Sequence, residues 1–297
     1  MINYKGYTIN TIIQNTIDKL MFDVLPEDVN ISTMTFVCKL NVKFYCKNIA
    51  KYIDLSHDDI LSVQCGQELG RTLIKKRKIT RKKTKKKENF YNQCSLYIIV
   101  KNKDKSKPIN LKIFQNGALQ MTGCKNVENC LDALTIIFAK LKLIKGLIRK
   151  NKIKSIEFTD NSNELALINL IKFDIAMINS NFNIGFAIER PILYNHLTQN
   201  KIECLYDPQK HACVSVKYKT ESKTISIFVF EKGSIIITGV KNCNDISIAY
   251  HFINVYLLSN YLNIVKNYIS HAEIMKCIKD TTITIDDIDI DIDNITL

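Results

Sequence analysis

Leu111-Lys-Ile-Phe-Gln-Asn-Gly117 runs into Met121-Thr-Gly-Cys-Lys125, and Ser226-Ile-Phe-Val-Phe-Glu-Lys-Gly233 runs into Ile237-Thr-Gly-Val-Lys241. The two stretches are versions of each other. Each has an apolar run ending in Phe, a Gly turn, a second alternating run and then Thr-Gly-x-Lys-Asn. The spacing from Gly117 to Thr122 equals that from Gly233 to Thr238. A repeat at this separation fixes the architecture before any single element is assigned. Upstream, Asn41-Val-Lys-Phe44 followed by Asn48-Ile-Ala aligns with Asn183-Ile-Gly-Phe186 followed by Arg190-Pro-Ile. Two copies of one unit result, 28–148 and 172–268: strand, short helix, several antiparallel strands, long helix.

Within each hairpin the side chains alternate at period two, as strands with one buried face require. Leu111, Ile113, Leu119 and Met121 point one way, and Lys112, Phe114, Gln120 and Thr122 the other. In the second copy Ile225, Ile227, Val229, Ile235 and Ile237 share one face, and Ser226, Phe228, Phe230, Ile236 and Thr238 the opposite one. Helical spacing follows each hairpin. From Val127 to Leu147 a stripe runs through Leu131, Leu134, Ile137, Phe138, Leu141 and Ile144; from Ile246 to Tyr268 one runs through Ile248, Phe252, Val255, Tyr256, Ser259 and Leu262. Spacings of three and four define a face that covers a sheet. The aliphatic strand face is then core. The other face carries large apolar side chains with no helix assigned to it, although periodicity alone also allows Phe114 and Phe230 to be core aromatics.

The twice-repeated hairpin with Phe before the Gly turn and Thr-Gly-x-Lys after it resembles the TATA-box-binding protein family. Ser32-Thr-Met-Thr-Phe-Val-Cys-Lys-Leu40 is similar to that family's first strand, and Phe173-Asp-Ile with Ser180 to Phe186 to the opening of its second half. The resemblance covers 28–148 and 172–268. The Ile-, Lys- and Asn-rich composition looks most like the versions carried by large cytoplasmic DNA viruses. The resemblance implies an α+β fold: a pseudo-two-fold saddle of two repeats, with a curved antiparallel sheet and long helices on its convex face. It implies a transcription initiation factor that binds double-stranded AT-rich promoter DNA in the minor groove, bends it, and recruits a TFIIB-like factor and RNA polymerase machinery. A nuclear or viral-factory location, or packaging in the virion, follows from the same likeness. Wedge side chains that enter base steps and kink the duplex suit such a face.

Carried over residue by residue, Phe114 and Phe230 take the wedge position before the Gly turn. Thr122 and Thr238 take the threonine position near the centre of the site. Tyr91 falls at the other wedge of the first half, and His211 at that of the second. Gln120, Phe228 and Ile236 share the binding face. The family's central asparagine is missing: Val29 or Thr35 stands there in the first half and Met177 in the second, with Asn179 two residues on and on the same face. Lys101, Lys103, Lys217 and Lys219 are the candidate phosphate contacts. A protein-interaction platform on the same fold, without strong DNA binding, is the alternative function.

Net charge agrees with a nucleic-acid partner but is concentrated. The chain of 297 residues has a formal charge of +13 and pI 9.1. Residues 71–87 hold eleven Lys or Arg and no acid, and without them the net charge falls to +2. That insert reads as a solvated loop binding phosphates without reading sequence, or as a nuclear localisation signal. Ten Cys occur with no Cys-x-x-Cys, and five His with no His-Glu-x-x-His. No Gly-rich phosphate loop or Gly-x-Ser-x-Gly elbow occurs, so no metal, cofactor or enzymatic activity is expected. There is no cleavable signal pattern and no apolar run long enough for a membrane span. An N-terminal extension (1–27), an inter-repeat linker (149–171) and an acidic C-terminal tail (269–297) complete the division. In the linker, 153–158 is expected as a strand and 164–171 as a helical turn or two. Asp280 to Leu297 contains six Asp alternating with Ile; it reads as an edge strand with one charged face or as a flexible acidic tail.

Overall fold

A computed structural model of the chain describes residues 1–20, 22–74, 92–100, 108–149, 152–220 and 223–266. An N-terminal hairpin, β1 (Ile2–Tyr4) and β2 (Tyr7–Ile9), leads into α1 (Thr11–Asp18). The first repeat then runs β3 (Asn30–Lys39), α2 (Cys46–Tyr52), β4 (Ile60–Cys65), β5 (Leu69–Thr72), β6 (Gln93–Ile98), β7 (Ile109–Phe114), β8 (Ala118–Cys124) and α3 (Val127–Leu141). A second hairpin, β9 (Lys145–Arg149) and β10 (Lys152–Ile156), stands between the repeats. The second repeat runs β11 (Lys172–Asn183), α4 (Arg190–Gln199), β12 (Cys204–Leu205), β13 (Cys213–Lys219), β14 (Thr224–Phe230), β15 (Ser234–Val240), α5 (Cys243–Ser259) and a last turn, α6 (Tyr261–Ile264).

The repeats form one eleven-stranded sheet in the order β12-β13-β14-β15-β11-β3-β8-β7-β6-β4-β5. Its centre is the antiparallel pair β3–β11, where Lys39 meets Lys172 and Asn30 meets Asn181. Outward from that seam each half repeats the other, except that the first half has one more strand, β5. The hairpin pairing Leu111 with Met121 has its counterpart in Ile227 with Ile237. The α+β class and the sheet with helices on one face are therefore as expected.

Local chemistry explains why both units close alike. The Asn of each Thr-Gly-x-Lys-Asn segment caps the helix that follows: Asn126 accepts from the Asn129 N–H and Asn242 from that of Asp245, at 2.9 Å each. Such caps satisfy backbone donors that a helix start leaves open. The glycine after each Phe turns the chain with φ of 85° at Gly117 and 78° at Gly233. A Cβ there would lie 2.3 Å from the Leu40 carbonyl oxygen in one repeat and 2.3 Å from that of Phe186 in the other. Gly117→Ala or Gly233→Ala should therefore cost at least about 1–3 kcal/mol from backbone strain alone. Denaturant unfolding measures this, and an unchanged midpoint would contradict the turn geometry.

The aliphatic strand faces are fully buried beneath α3 and α5. The helices differ from expectation in two respects. The first ends at Leu141, not Leu147: Ile144 is 66% exposed beyond it, and the chain turns into the β9–β10 hairpin instead. The second begins three residues earlier than expected and buries Ile246, Ala249, Ile253 and Leu257. The stripe read from Ile248 is its outer face as far as Ser259, with Val255 52% exposed, and Leu262, 87% exposed, lies beyond it in α6. A helix apolar on two sides carries two stripes, and periodicity does not say which one meets the sheet. The outer stripe instead lines an open groove of about 780 Å³, where Phe252 stacks on Tyr218 with ring centroids 4.3 Å apart.

The N-terminal residues are part of this packing. Ile9, Ile13 and Leu20 are fully buried. Thr16 Oγ1 donates to the Phe173 carbonyl at 2.6 Å, and Asn10 Nδ2 donates to those of Ile168 and Leu170. Tyr4 and Tyr7 donate to Glu128 and Asp132 of α3, while Tyr250 of α5 donates to Asp28. The segment thus runs across the helical side from one long helix to the other. In the linker, β10 covers most of the expected strand, and single 3-10 turns stand at Ser162–Glu164 and Leu167–Asn169. The acidic tail lies outside the described residues. Among those residues no helix is long and apolar enough to cross a membrane, and no cluster of three or more His, Cys, Asp or Glu could hold a metal ion.

Candidate nucleic-acid interface

The sheet face away from the helices is described by rows of side chains that cross the strands. In the first half one row runs Ser95, Lys112, Gln120, Val37, Asp174. In the second the matching row runs Ser215, Phe228, Ile236, Asn181, Asn30. These side chains are half-buried or exposed, while their strand neighbours Ile113, Leu119, Ile227 and Ile235 are fully buried. Phe114 and Phe230 lie at the outer ends of β7 and β14, half-buried and on this same face. The backbone carbonyl of each accepts from the N–H of the turn glycine, Gly117 at 3.2 Å and Gly233 at 3.1 Å. Each ring thus stands at the end of its strand, beside a tight turn.

The centre of the face is polar and unequal. Thr122 pairs with Thr35, which is 5% exposed and also faces Met177 across the seam. The matching pairs Val37–Gln120 and Asn181–Ile236 make Thr35 the first half's counterpart of Asn179; that of Met177 is Thr33, neither of the two positions expected. In the second half the Thr238 hydroxyl donates to Asn179 Oδ1, and Asn179 Nδ2 donates to Thr33 Oγ1 at 2.9 Å. Two bonds hold the Asn179 amide in one orientation, which leaves its second N–H for another acceptor. Lys217 lies on the same face and donates to Ser226 Oγ at 2.7 Å. Lys219 pairs with Glu203 at 2.7 Å; the hydrogen bond and the charge of Lys219 lower the Glu203 pKa and those of Glu203 raise the Lys219 pKa.

His211 is exposed just before β13, where its N–H bonds to the Asp207 carbonyl at 2.8 Å. Arg190 braces that approach, donating to the Ala212 carbonyl at 2.7 Å and pairing with Glu231 at 2.5 Å. Since Cys213 pairs with Phe230, His211 stands two residues from the row that carries that ring. Tyr91, Lys101 and Lys103 lie outside the described residues. So does 75–87, but the start of the basic segment does not. Arg71 sits in β5 and donates to the carbonyls of Ala50 and Ile53 at the end of α2. It is a structural arginine, so the part of the basic run without such a role on the described residues starts after Ile74.

Two further residues, Asn181 and Asp174, lie on this face. Asn181 follows from Asn179 at period two. Asp174 does not, because the register shifts between Ile175 and Met177 and so reverses the alternation there. Lys112 was placed on the face but not counted as a contact.

The family profile for "Transcription factor TFIID (or TATA-binding protein, TBP)" matches residues 172–258. The chain is 37% identical over 254 residues to a TATA-box-binding protein-like protein of Acanthamoeba polyphaga mimivirus, covering 80% of this chain and 67% of that one. It is 26% identical over 133 residues to TATA-box-binding protein 2 of Haloferax volcanii, 45% of this chain and 59% of that one. Among solved structures, Methanococcus jannaschii TBP aligns with 78% of this chain and 99% of its own at 15% identity, with a TM-score of 0.46.

Proposed function

The chain belongs to the TATA-box-binding protein family, and from that premise we propose that it is a transcription initiation factor that binds AT-rich promoter DNA through the helix-free sheet face. It bends the duplex and presents it to a TFIIB-like factor and RNA polymerase machinery, in the nucleus or a viral factory. The observation that carries this reading is the placement of Phe114 and Phe230, half-buried on that face beside the turn glycines. Half-exposed rings at one strand end in each half, with threonines nearer the centre, suit a groove whose A·T edges offer few polar groups. Opening a base step costs a few kcal/mol, offset by the protein surface that the bent duplex can touch. Fluorescence transfer across an end-labelled AT-rich duplex tests it: bending on addition of the protein supports the reading, and salt-independent or absent binding overturns it.

A second reading, a protein-interaction platform, is favoured by His211 at a wedge position and by Met177 and its counterpart Thr33 in place of amides. The two readings separate at His211. A wedge needs bulk and an apolar surface, which an exposed imidazole lacks, so His211→Phe should increase the bend angle. An unchanged or smaller bend would count against His211 as a wedge position.

A further inference from the structure

On the basis of that DNA-binding reading, we propose that the two halves of the face recognise different base pairs: the second half requires A·T, and the first accepts G·C. The matching rows carry the argument. Where the second half presents Phe228 and Ile236, the first presents Lys112 and Gln120 at the same register positions. All four are half-buried on the face away from the helices. Val37 pairs with Gln120, and Asp174 ends the first row where Asn30 ends the second.

In the minor groove every pair presents acceptors, and G·C adds the guanine N2 amino donor. Against Phe228 and Ile236 that donor has no acceptor, and a buried unpaired N–H is costly. Gln120 has a carbonyl oxygen to accept it and an amide N–H for the acceptors that A·T and G·C share. Lys112, whose strand partners are Ser95 and Gln120, donates to groove acceptors of any pair and so does not discriminate. The exposed Asp174 carboxylate, 3.5 Å from the Lys172 ammonium, ends the first row with an acceptor-only group, whereas the second ends in Asn30, whose amide both donates and accepts. A site with A·T in one half and G·C in the other is therefore bound in one orientation.

The test compares three duplexes in competition at fixed salt: A·T throughout, G·C in one half, and G·C in both. The wild-type protein should bind the first two within about threefold. The third should be roughly 5- to 150-fold weaker, the penalty of an unsatisfied donor. Lys112→Phe with Gln120→Ile should make the half-substituted duplex as poor as the fully substituted one. The reciprocal Phe228→Lys with Ile236→Gln should restore binding to the fully substituted duplex. If wild type rejects the half-substituted duplex as strongly as the fully substituted one, or tolerates both, the asymmetry is wrong while DNA binding stands. If none of the three duplexes is bound, the DNA-binding reading fails and this proposal with it.

Discussion

Phe114→Ala and Phe230→Ala are each expected to weaken binding to an AT-rich duplex by about 1–3 kcal/mol, roughly 5- to 150-fold, with a smaller bend and an intact fold. The stacking part of that loss arises at the base step, where each ring would replace a neighbouring base. Folding should be nearly indifferent, because both rings are half-buried on the face that no helix covers. Ile113 and Val229, their fully buried neighbours on the opposite face, are the controls. Truncating either to alanine should cost about 2–5 kcal/mol of stability, with the smaller valine at the low end. If Phe114→Ala or Phe230→Ala instead unfolds the protein and leaves bending as it was, that ring is core and the roles of the two faces are reversed. Titration calorimetry, or anisotropy with parallel thermal unfolding, separates the outcomes.

Deleting 75–87 is expected to flatten the salt dependence of binding without changing which sequence is preferred. The segment holds ten of the eleven basic residues of 71–87, since Arg71 is committed to the end of α2. Each phosphate neutralised contributes about 0.9 to the slope of log K against log salt. With only some of the charges engaged, the slope should fall by about two to five units. The deletion must spare 71–74, because losing Arg71 would leave the Ala50 and Ile53 carbonyls without their donor. The run is interrupted only by Ile79, Thr80 and Thr84, so it has no aromatic or amide side chain with which to read bases. A changed sequence preference would make it a reader. An unchanged slope would remove it from the DNA altogether and favour an import or partner-binding role.

The repeat made most of the fold legible. Period-two alternation placed Ile227 and Phe228 on opposite faces, and the twice-occurring Gly marked the turns, because those features are set by neighbours in sequence. What failed depended on distant partners. Helix α5 offers apolar side chains on both Ile246–Ile253 and Ile248–Val255, and only the sheet beneath decides between them. The bulge at Ala176, which puts Asp174 on the open face, answers to β3 across the seam and has no local signature. The N-terminal segment was equally silent: Ile9 and Ile13 are buried, and α1 packs on β11, where Thr16 bonds to Phe173, 157 positions away. Of the candidate interface, Phe114, Phe230, Thr122 and Thr238 were readable from the repeat. The locked Asn179 amide required the geometry of Thr33 and Thr238.

The seam also sets an order of events during folding. Strand β3 needs β8 on one side and β11 on the other, and β11 is separated from it by the whole first repeat. Pairings so distant in sequence form late, because a long loop must close before any contact rewards it. On a growing chain, the first repeat can complete its hairpins while one edge of β3 still waits. Its backbone N–H and C=O groups there stand open to any other strand, the usual route to misassociation. The N-terminal segment waits as well, since Thr16 finds its carbonyl only when Phe173 arrives. The first repeat expressed alone should therefore be prone to self-association, and adding the second in trans should suppress it.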